Sequence, residues 1–379
     1  MPDSEPLLAV ELAGTGVHPA SWRRADSRAE DLFTGGYWAE TIGAAEAAGL
    51  DAVFVPDSFG LQPGGPDVTR GRLDAVAIAA RVAARTERIG LLPQATVTHT
   101  EPFHLAKAVQ SLDFVSMGRA GWEVTVSETT EEARAFGRKV VQSTPSLWHE
   151  ADEAIEVAAR LWDSWEDDAE IRDQSTGRFI DRDKLHYIDF HGENFSVKGP
   201  SITPRSPQGQ PIVAVRADDE DSAKVAVARA DLIRVSAPDL ATARARRTLL
   251  RTALADAGRD PDTVAVLLDL DLLLAASTDA AEAGLAQLDA WAADTPAATA
   301  STPGLRHLGT ASQLRALLDT VHESGAADGV TLRPLAVAAT IAQLSELGRN
   351  AVPSTTLRAR LGLPRPANRY ATSTEGTPS

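Results

Sequence analysis

The sequence contains no cysteine. Disulfides, thiol catalysis and thiolate metal sites are therefore excluded. It also lacks an excess of positive charge, with 53 acidic residues against 37 Lys and Arg and a formal net charge of −16. Such a surface repels phosphate backbones and anionic lipid, so neither a nucleic-acid nor a membrane partner is expected. No apolar run approaches the roughly 18 residues of a membrane helix. The opening Met1-Pro2-Asp3-Ser4-Glu5-Pro6 lacks the basic and apolar parts of an export signal. A soluble cytoplasmic protein is the expectation.

Hydrophobic residues make up 43% of 379 positions, enough to bury a large core. Apolar runs of two kinds alternate along the chain. "LLAVEL" (7–12), "DAVFVPD" (51–57), "RIGLLPQATVT" (88–98) and "GWEVTVS" (121–127) are strand-like. Helical spacing separates them at 37–50, 73–86 and 103–116, and an amphipathic helix follows at 151–165. The rhythm breaks over 166–210, which is charged and rich in turn residues. It resumes with strands at 211–217, 231–237, 263–276 and 328–334, again separated by helical stretches.

Eight strands alternating with helices predict parallel pairing through right-handed crossovers. Closure into an α/β TIM (β/α)8 barrel with an insertion after the fourth helix is the expected fold. An open doubly wound sheet predicts a Gly-rich phosphate turn after its first strand, and "ELAGTGVHP" lacks it. The barrel is expected over 1–350, with its insertion at 166–210 and a partly irregular C-terminal extension over 351–379. In such a barrel the chemistry lies at the C-terminal ends of the strands. Those ends offer His18, Asp57, Thr96, Thr98, Thr125, Ser127, Arg216, Asp218, Ser236 and Arg333. The His, Asp and Glu among them have no ligand spacing, so no metal is expected.

Several stretches then carry a family likeness. They are "HPASWRR" (18–24), "GLDAVFVPDS" (49–58), "EPFHLAKAVQSLDFVSMGRAGWEVTVS" (101–127), "LWDSWED" (161–167) and "FHGENFSVKGPSITPRSPQGQPIV" (190–213). "DGVTL" (328–332) and "TLRARLGLPRPANRY" (356–370) extend it towards the C-terminus. The sequence resembles the bacterial luciferase-like flavin monooxygenases, in the branch of nitrilotriacetate monooxygenase. The resemblance implies reduced FMN from a separate flavin reductase, O2, a small organic substrate and a homodimer. The protein's part is to keep the flavin in a dry barrel mouth. Asp57, Thr98 and Ser127 match family positions close to the flavin ring.

The departures fall on the same surface. Glu123 stands where the branch has Asn, and Val126 where it has Thr. Thr144, Leu147 and Trp148 stand where a His and then Arg-Tyr precede the fourth helix. The family's Gln-Ala-Gly-x-Ser at the end of strand five serves the FMN phosphate. Here the stretch is Val215-Arg216-Ala217-Asp218-Asp219-Glu220-Asp221, so weakened FMN binding or a differently bound cofactor is expected. Trp148, Arg216 and Asp219 join Asp57, Thr98 and Ser127 as cofactor-binding candidates. No catalytic residue is assigned, and His18, Trp148 and His149 are the candidates.

Each candidate has a plainer role beside it. Asp57 suits a turn cap, Thr98 and Ser127 suit turn hydroxyls, and Trp122 and Trp148 suit core packing. Residues 218–221 suit a solvated helix start with Asp at its N-cap. Arg205 suits a loop anchor or a substrate cation. A barrel that has lost flavin chemistry and serves as a binding or partner subunit is the alternative function. A deazaflavin is the alternative cofactor, with an anionic tail that meets the same acidic loop.

Overall fold

The computed structural model describes residues 6–60, 71–293, 304–349 and 356–371. Eight parallel strands form a closed ring: β1 Leu7–Glu11, β2 Ala52–Val55, β3 Gly90–Thr96, β4 Gly121–Thr125, β5 Ile212–Arg216, β6 Leu232–Val235, β7 Ala265–Leu274 and β8 Gly329–Pro334. Each strand pairs with its neighbours in sequence, and β8 pairs with β1 to close the ring. This is the expected TIM barrel. An additional strand, Leu305–Gly309, has no counterpart in the sequence reading. It pairs with β7 over Leu270–Leu274, beyond the stretch Ala265–Leu268 that pairs with β6. The ring is thus split at the top between β6 and β7.

Among the described residues eleven helices accompany the ring: α1 Gly35–Ala47, α2 Ala75–Ala83, α3 Pro102–Val115, α4 Thr130–Phe136, α5 Thr144–Asp163, α6 Glu220–Arg229, α7 Leu240–Asp256, α8 Thr278–Ala292, α9 Ala311–Glu323, α10 Val337–Leu344 and the single turn α11 Leu357–Arg360. A helix that follows a parallel strand starts at the strand's C-terminal rim, so the helix N-termini gather there. Short polar side chains satisfy their free N–H groups, including Asp74 for α2, Thr129 for α4, Asp219 for α6 and Asp239 for α7. Thr129 is the N-cap of α4 in a capping box with Glu132. The insertion between α5 and β5 folds into two small hairpins, Glu170–Asp173 with Arg178–Ile180 and Phe190–His191 with Ser196–Val197. Among the described residues no helix is long and apolar enough to cross a membrane.

Strand side chains alternate between the helix layer and the lumen. Val53, Leu91, Trp122, Val213, Ile233 and Val266 belong to the large core shared with the helices. Ala9, Ala52, Leu92, Ala214, Leu232 and Leu267 form a separate apolar cluster. Leu357 and Leu363 of the C-terminal segment join that cluster and close the barrel floor. Two glycines make room inside. A Cβ on Gly90 would lie 2.5 Å from Leu357 Cδ1, and one on Gly121 would lie 2.8 Å from Leu92 Cγ. Gly121 therefore serves lumen packing, whereas Gly118, with φ +85°, makes the turn into β4. The boundary expected at 350 lies outside the described residues. Residues 356–371 run as a strap under the barrel, tied by Arg358 to Asp231 and by Arg365 to Asp167.

Candidate functional site at the barrel mouth

Above the apolar floor the lumen becomes charged. Arg234 on β6 has no exposed surface, and its guanidinium faces three carboxylates. It donates to Glu11 Oε2 at 2.6 Å, Glu123 Oε1 at 2.8 Å and Asp269 Oδ1 at 2.9 Å. Its Cζ lies 4.5 Å from the centroid of the Phe54 ring. Arg333 donates to Glu11 Oε1 at 3.2 Å and lies 3.0 Å from Asp271 Oδ1. Arg216 Nη2 lies 3.1 Å from Asp269 Oδ2.

The carboxylates do not share these cations equally. Burial alone would raise the Glu11 carboxyl, but Arg234 and Arg333 hold it well below the usual range. Burial wins at Glu123 and pushes its carboxyl up despite Arg234. Burial likewise raises Asp271, against the pull of Arg333. Glu11 is thus the firmly ionised member, whereas Glu123 and Asp271 keep a proton more readily. The sequence carried a signal for this cluster: "LLAVEL", "GWEVT", "DLIRV" and "LLDLDLLL" each hide a charge in an apolar strand. Such a charge is tolerated only beside partners; of these, Glu123 stands out in the sequence, but as a departure from the family and not as part of a charged cluster.

A chain of hydrogen bonds links the lumen to the rim. Gln94 donates to Glu123 Oε2 at 2.6 Å, and Gln94 Oε1 accepts from the Asp57 N–H at 3.0 Å. Asp57 in turn accepts from the N–H groups of Ser58 and Ala75, so it ties the end of β2 to the start of α2. Burial pushes the Asp57 carboxyl up from its ordinary value. Thr98 Oγ1 accepts from the Ser127 N–H at 2.9 Å, and the Ser127 hydroxyl lies 3.1 Å from that of Thr96. Thr98 and Ser127 therefore meet beyond the ends of β3 and β4, and Asp57, beyond the end of β2, is linked to β3 through Gln94.

The other candidates divide. Trp148 packs in the core at the start of α5, and its indole N–H is buried without a hydrogen-bond partner. His149 is half exposed and turned to the insertion, with Nε2 3.2 Å from Glu193 Oε2. His18 Nδ1 accepts from the Ala20 N–H, and its Nε2 lies 3.1 Å from Asp289 Oδ1 on α8. These two histidines are thus engaged away from the Asp57–Ser127 group. Arg205, buried and bound to Asp163, Asp167 and the Pro366 carbonyl, is a loop anchor. His99 stacks on Phe136 with centroids 4.6 Å apart, beside Phe59.

Buried polar atoms without hydrogen-bond partners include His99 Nε2, Thr125 Oγ1, Trp148 Nε1 and Arg216 Nε. Buried donors and acceptors of this kind call for a partner. A small cavity of about 40 Å³ lies between the ends of β1 and β2, lined by Gly14, Phe33, Trp38, Pro56, Arg72 and Leu73. It has room for a few waters at most and is far smaller than a cofactor site. Among the described residues no group of three His, Asp or Glu is placed to hold a metal ion.

The family described as luciferase-like monooxygenase matches residues 17–349. The chain belongs to that family. The match takes in β2 to β8 and every mouth residue named above except Glu11 and Gly14. This luciferase-like protein is 34% identical over 281 residues to N-acetyl-S-(2-succino)cysteine monooxygenase of Bacillus subtilis, covering 74% of this chain and 64% of that one. It is 33% identical over 265 residues to nitrilotriacetate monooxygenase component A of Aminobacter aminovorans, covering 67% and 58%. The chain thus spans about three-fifths of the length of the curated relatives it matches. Its fold matches the crystal structure of a long-chain alkane monooxygenase with a TM-score of 0.83, at 20% identity, over 95% of this chain and 96% of that one.

The implied flavin meets two different surfaces at this mouth. The unpartnered N–H and O–H groups of Trp148 and Thr125, with His99 Nε2, suit the nitrogen- and oxygen-bearing edge of a flavin ring. The end of β5 does not suit a phosphate. There Asp219 Oδ1 already accepts from the N–H groups of Asp221 and Ser222.

Proposed function

We propose that this protein is a flavin-dependent monooxygenase that uses reduced FMN and O2 to oxygenate a small organic substrate. The observation that carries this reading is the family match, which spans seven of the eight barrel strands. A bound reduced flavin supplies the electrons with which O2 gives one oxygen atom to the substrate and one to water. The chain's own residues have the tasks of binding, orientation and water exclusion. Asp57, Thr98 and Ser127 fix the ends of β2, β3 and β4 against one another. Trp148 and Thr125 carry buried, unpartnered hydrogen-bond donors that would serve a bound ring. Phe59, His99 and Phe136 form an aromatic cluster that would help to keep water from it.

A separate reductase supplies the reduced flavin, as the name "component A" of the Aminobacter relative suggests for that protein. The acidic surface and the absence of a membrane-crossing helix among the described residues favour a cytoplasmic setting. The homodimer follows family resemblance, and light scattering of the purified chain tests it.

The function is tested by titrating the full chain with oxidised and reduced flavin by calorimetry. The reduced complex is then mixed with O2 and a panel of small thioethers, sulfones, aminopolycarboxylates and alkanes. Binding in the micromolar range and oxygenated product are expected. No flavin binding up to high micromolar concentration would end the proposal.

A further inference from the structure

The end of β5 supplies its own anion. Asp221 N and Ser222 N, the N–H groups that open α6, donate to Asp219 Oδ1 at 2.8 and 2.9 Å. The Ser222 hydroxyl accepts from the Asp219 N–H and donates to the Asp219 carbonyl, each at 3.0 Å. A carboxylate therefore sits where a helix N-terminus receives a ligand phosphate.

The surroundings are negative as well. Asp218 is half exposed, with Glu220 and Asp221 following it at the helix start. Across the rim stands Glu128. Its carboxyl is pushed up first by burial and then by the charges of Asp219, Glu132 and Asp218. Lys224 pairs with Glu220 and Asp221. Arg216 is divided between Asp269 Oδ2 at 3.1 Å and Asp218 Oδ2 at 3.5 Å. Neither cation is left to receive a dianion. Carboxylates also cap the starts of α2 and α7, at Asp74 and Asp239.

We infer that this protein holds its flavin by the ring and ribityl chain and gains nothing from the phosphate, so that riboflavin serves as well as FMN. The inference rests on the flavin reading above and adds the class of flavin. Like charges about 4 Å apart repel even in water, and more strongly at a partly buried rim. A phosphate brought to this place meets that repulsion in full, whereas a neutral ribityl hydroxyl meets none of it.

Calorimetric titration of the full chain with FMN and with riboflavin, each oxidised and each reduced under nitrogen, tests it. Riboflavin is expected to bind at least as tightly as FMN, and added salt should tighten FMN alone by screening the repulsion. Asp219→Ser keeps an N-capping side chain and should tighten FMN about tenfold while leaving riboflavin unchanged. Asp218→Asn, which touches no cap, should shift FMN in the same direction. Wild-type FMN binding more than about tenfold tighter than riboflavin would overturn the inference and leave the flavin reading standing. An unchanged FMN-to-riboflavin ratio in both variants would overturn it too. Failure of either flavin to bind would overturn both.

Discussion

Arg234 Nη1 and Glu123 Oε1 meet at 2.8 Å inside the barrel, and neither side chain has any exposed surface. The pair belongs to a cluster in which three carboxylates surround one guanidinium. Removing the shared cation takes the central partner from a buried carboxylate cluster, a loss of about 3–5 kcal/mol in comparable cases. Arg234→Met is therefore expected to lower the urea midpoint sharply or to prevent soluble expression. The carboxylate variants give a finer test. Glu11 is firmly ionised and Glu123 keeps its proton more readily. Glu11→Gln should thus cost about 2 kcal/mol or more and Glu123→Gln about 1 or less. Equal costs, or the reverse order, would refute the division of charge described here.

Thr98 offers a test of whether a mouth hydroxyl is structural. Its Oγ1 accepts from the Ser127 N–H, and both residues are buried. Thr98→Val keeps the shape and strands that N–H, which costs about 1–3 kcal/mol. Thr98→Ser keeps the acceptor and should restore most of the stability. Urea denaturation of the two variants checks this. A Val variant as stable as wild type would show that the bond contributes nothing.

The ring of eight strands was legible because strands covered on both faces read as continuous apolar runs. "DAVFV", "PIVAV" and "AVLLDLDLLL" are such runs. Leu305–Gly309 was not legible. "LRHLG" is short and mixed, and β7 imposes its strand form along the upper half of one edge. The N-cap role of Asp219 was legible, because a helix start prefers that residue type. The partnership of Glu11 with Arg234 was not, since 223 positions separate them and only barrel closure brings them together. The roles of His18 and His149 were equally hidden. Their partners, Asp289 and Glu193, lie on elements whose placement no local pattern sets.

The barrel floor makes a separate prediction. Leu357 is fully buried among Leu92, Ile212 and Leu232, although it belongs to a segment beyond the last barrel helix. Gly90 lacks a Cβ where Leu357 approaches most closely. Leu357→Ala opens a void in a site walled by strands, which relaxes poorly, and a loss of about 3 kcal/mol is expected. Thermal denaturation measures it. A loss below about 1 kcal/mol would mean that the strap does not plug the floor in solution.

Acid should loosen the same strap by a different route. Asp167 accepts from Arg365 at 2.5 and 2.9 Å and from Arg205 at 3.0 and 3.2 Å. The Arg365 hydrogen bonds, with help from Arg205, hold its carboxyl down to about 2. A carboxyl lowered by folding adds stability above its unfolded value of about 3.9, and that stability drains away as pH falls through the folded value. The urea-midpoint difference between wild type and Asp167→Asn should therefore be steady from neutral pH to about 4 and shrink between about 4 and 2. Half of the Asp167 side chain faces water, so the difference should also narrow as salt is added at pH 7. A gap that ignored both acid and salt would mean that Asp167 holds the strap by shape and hydrogen bonding rather than by charge.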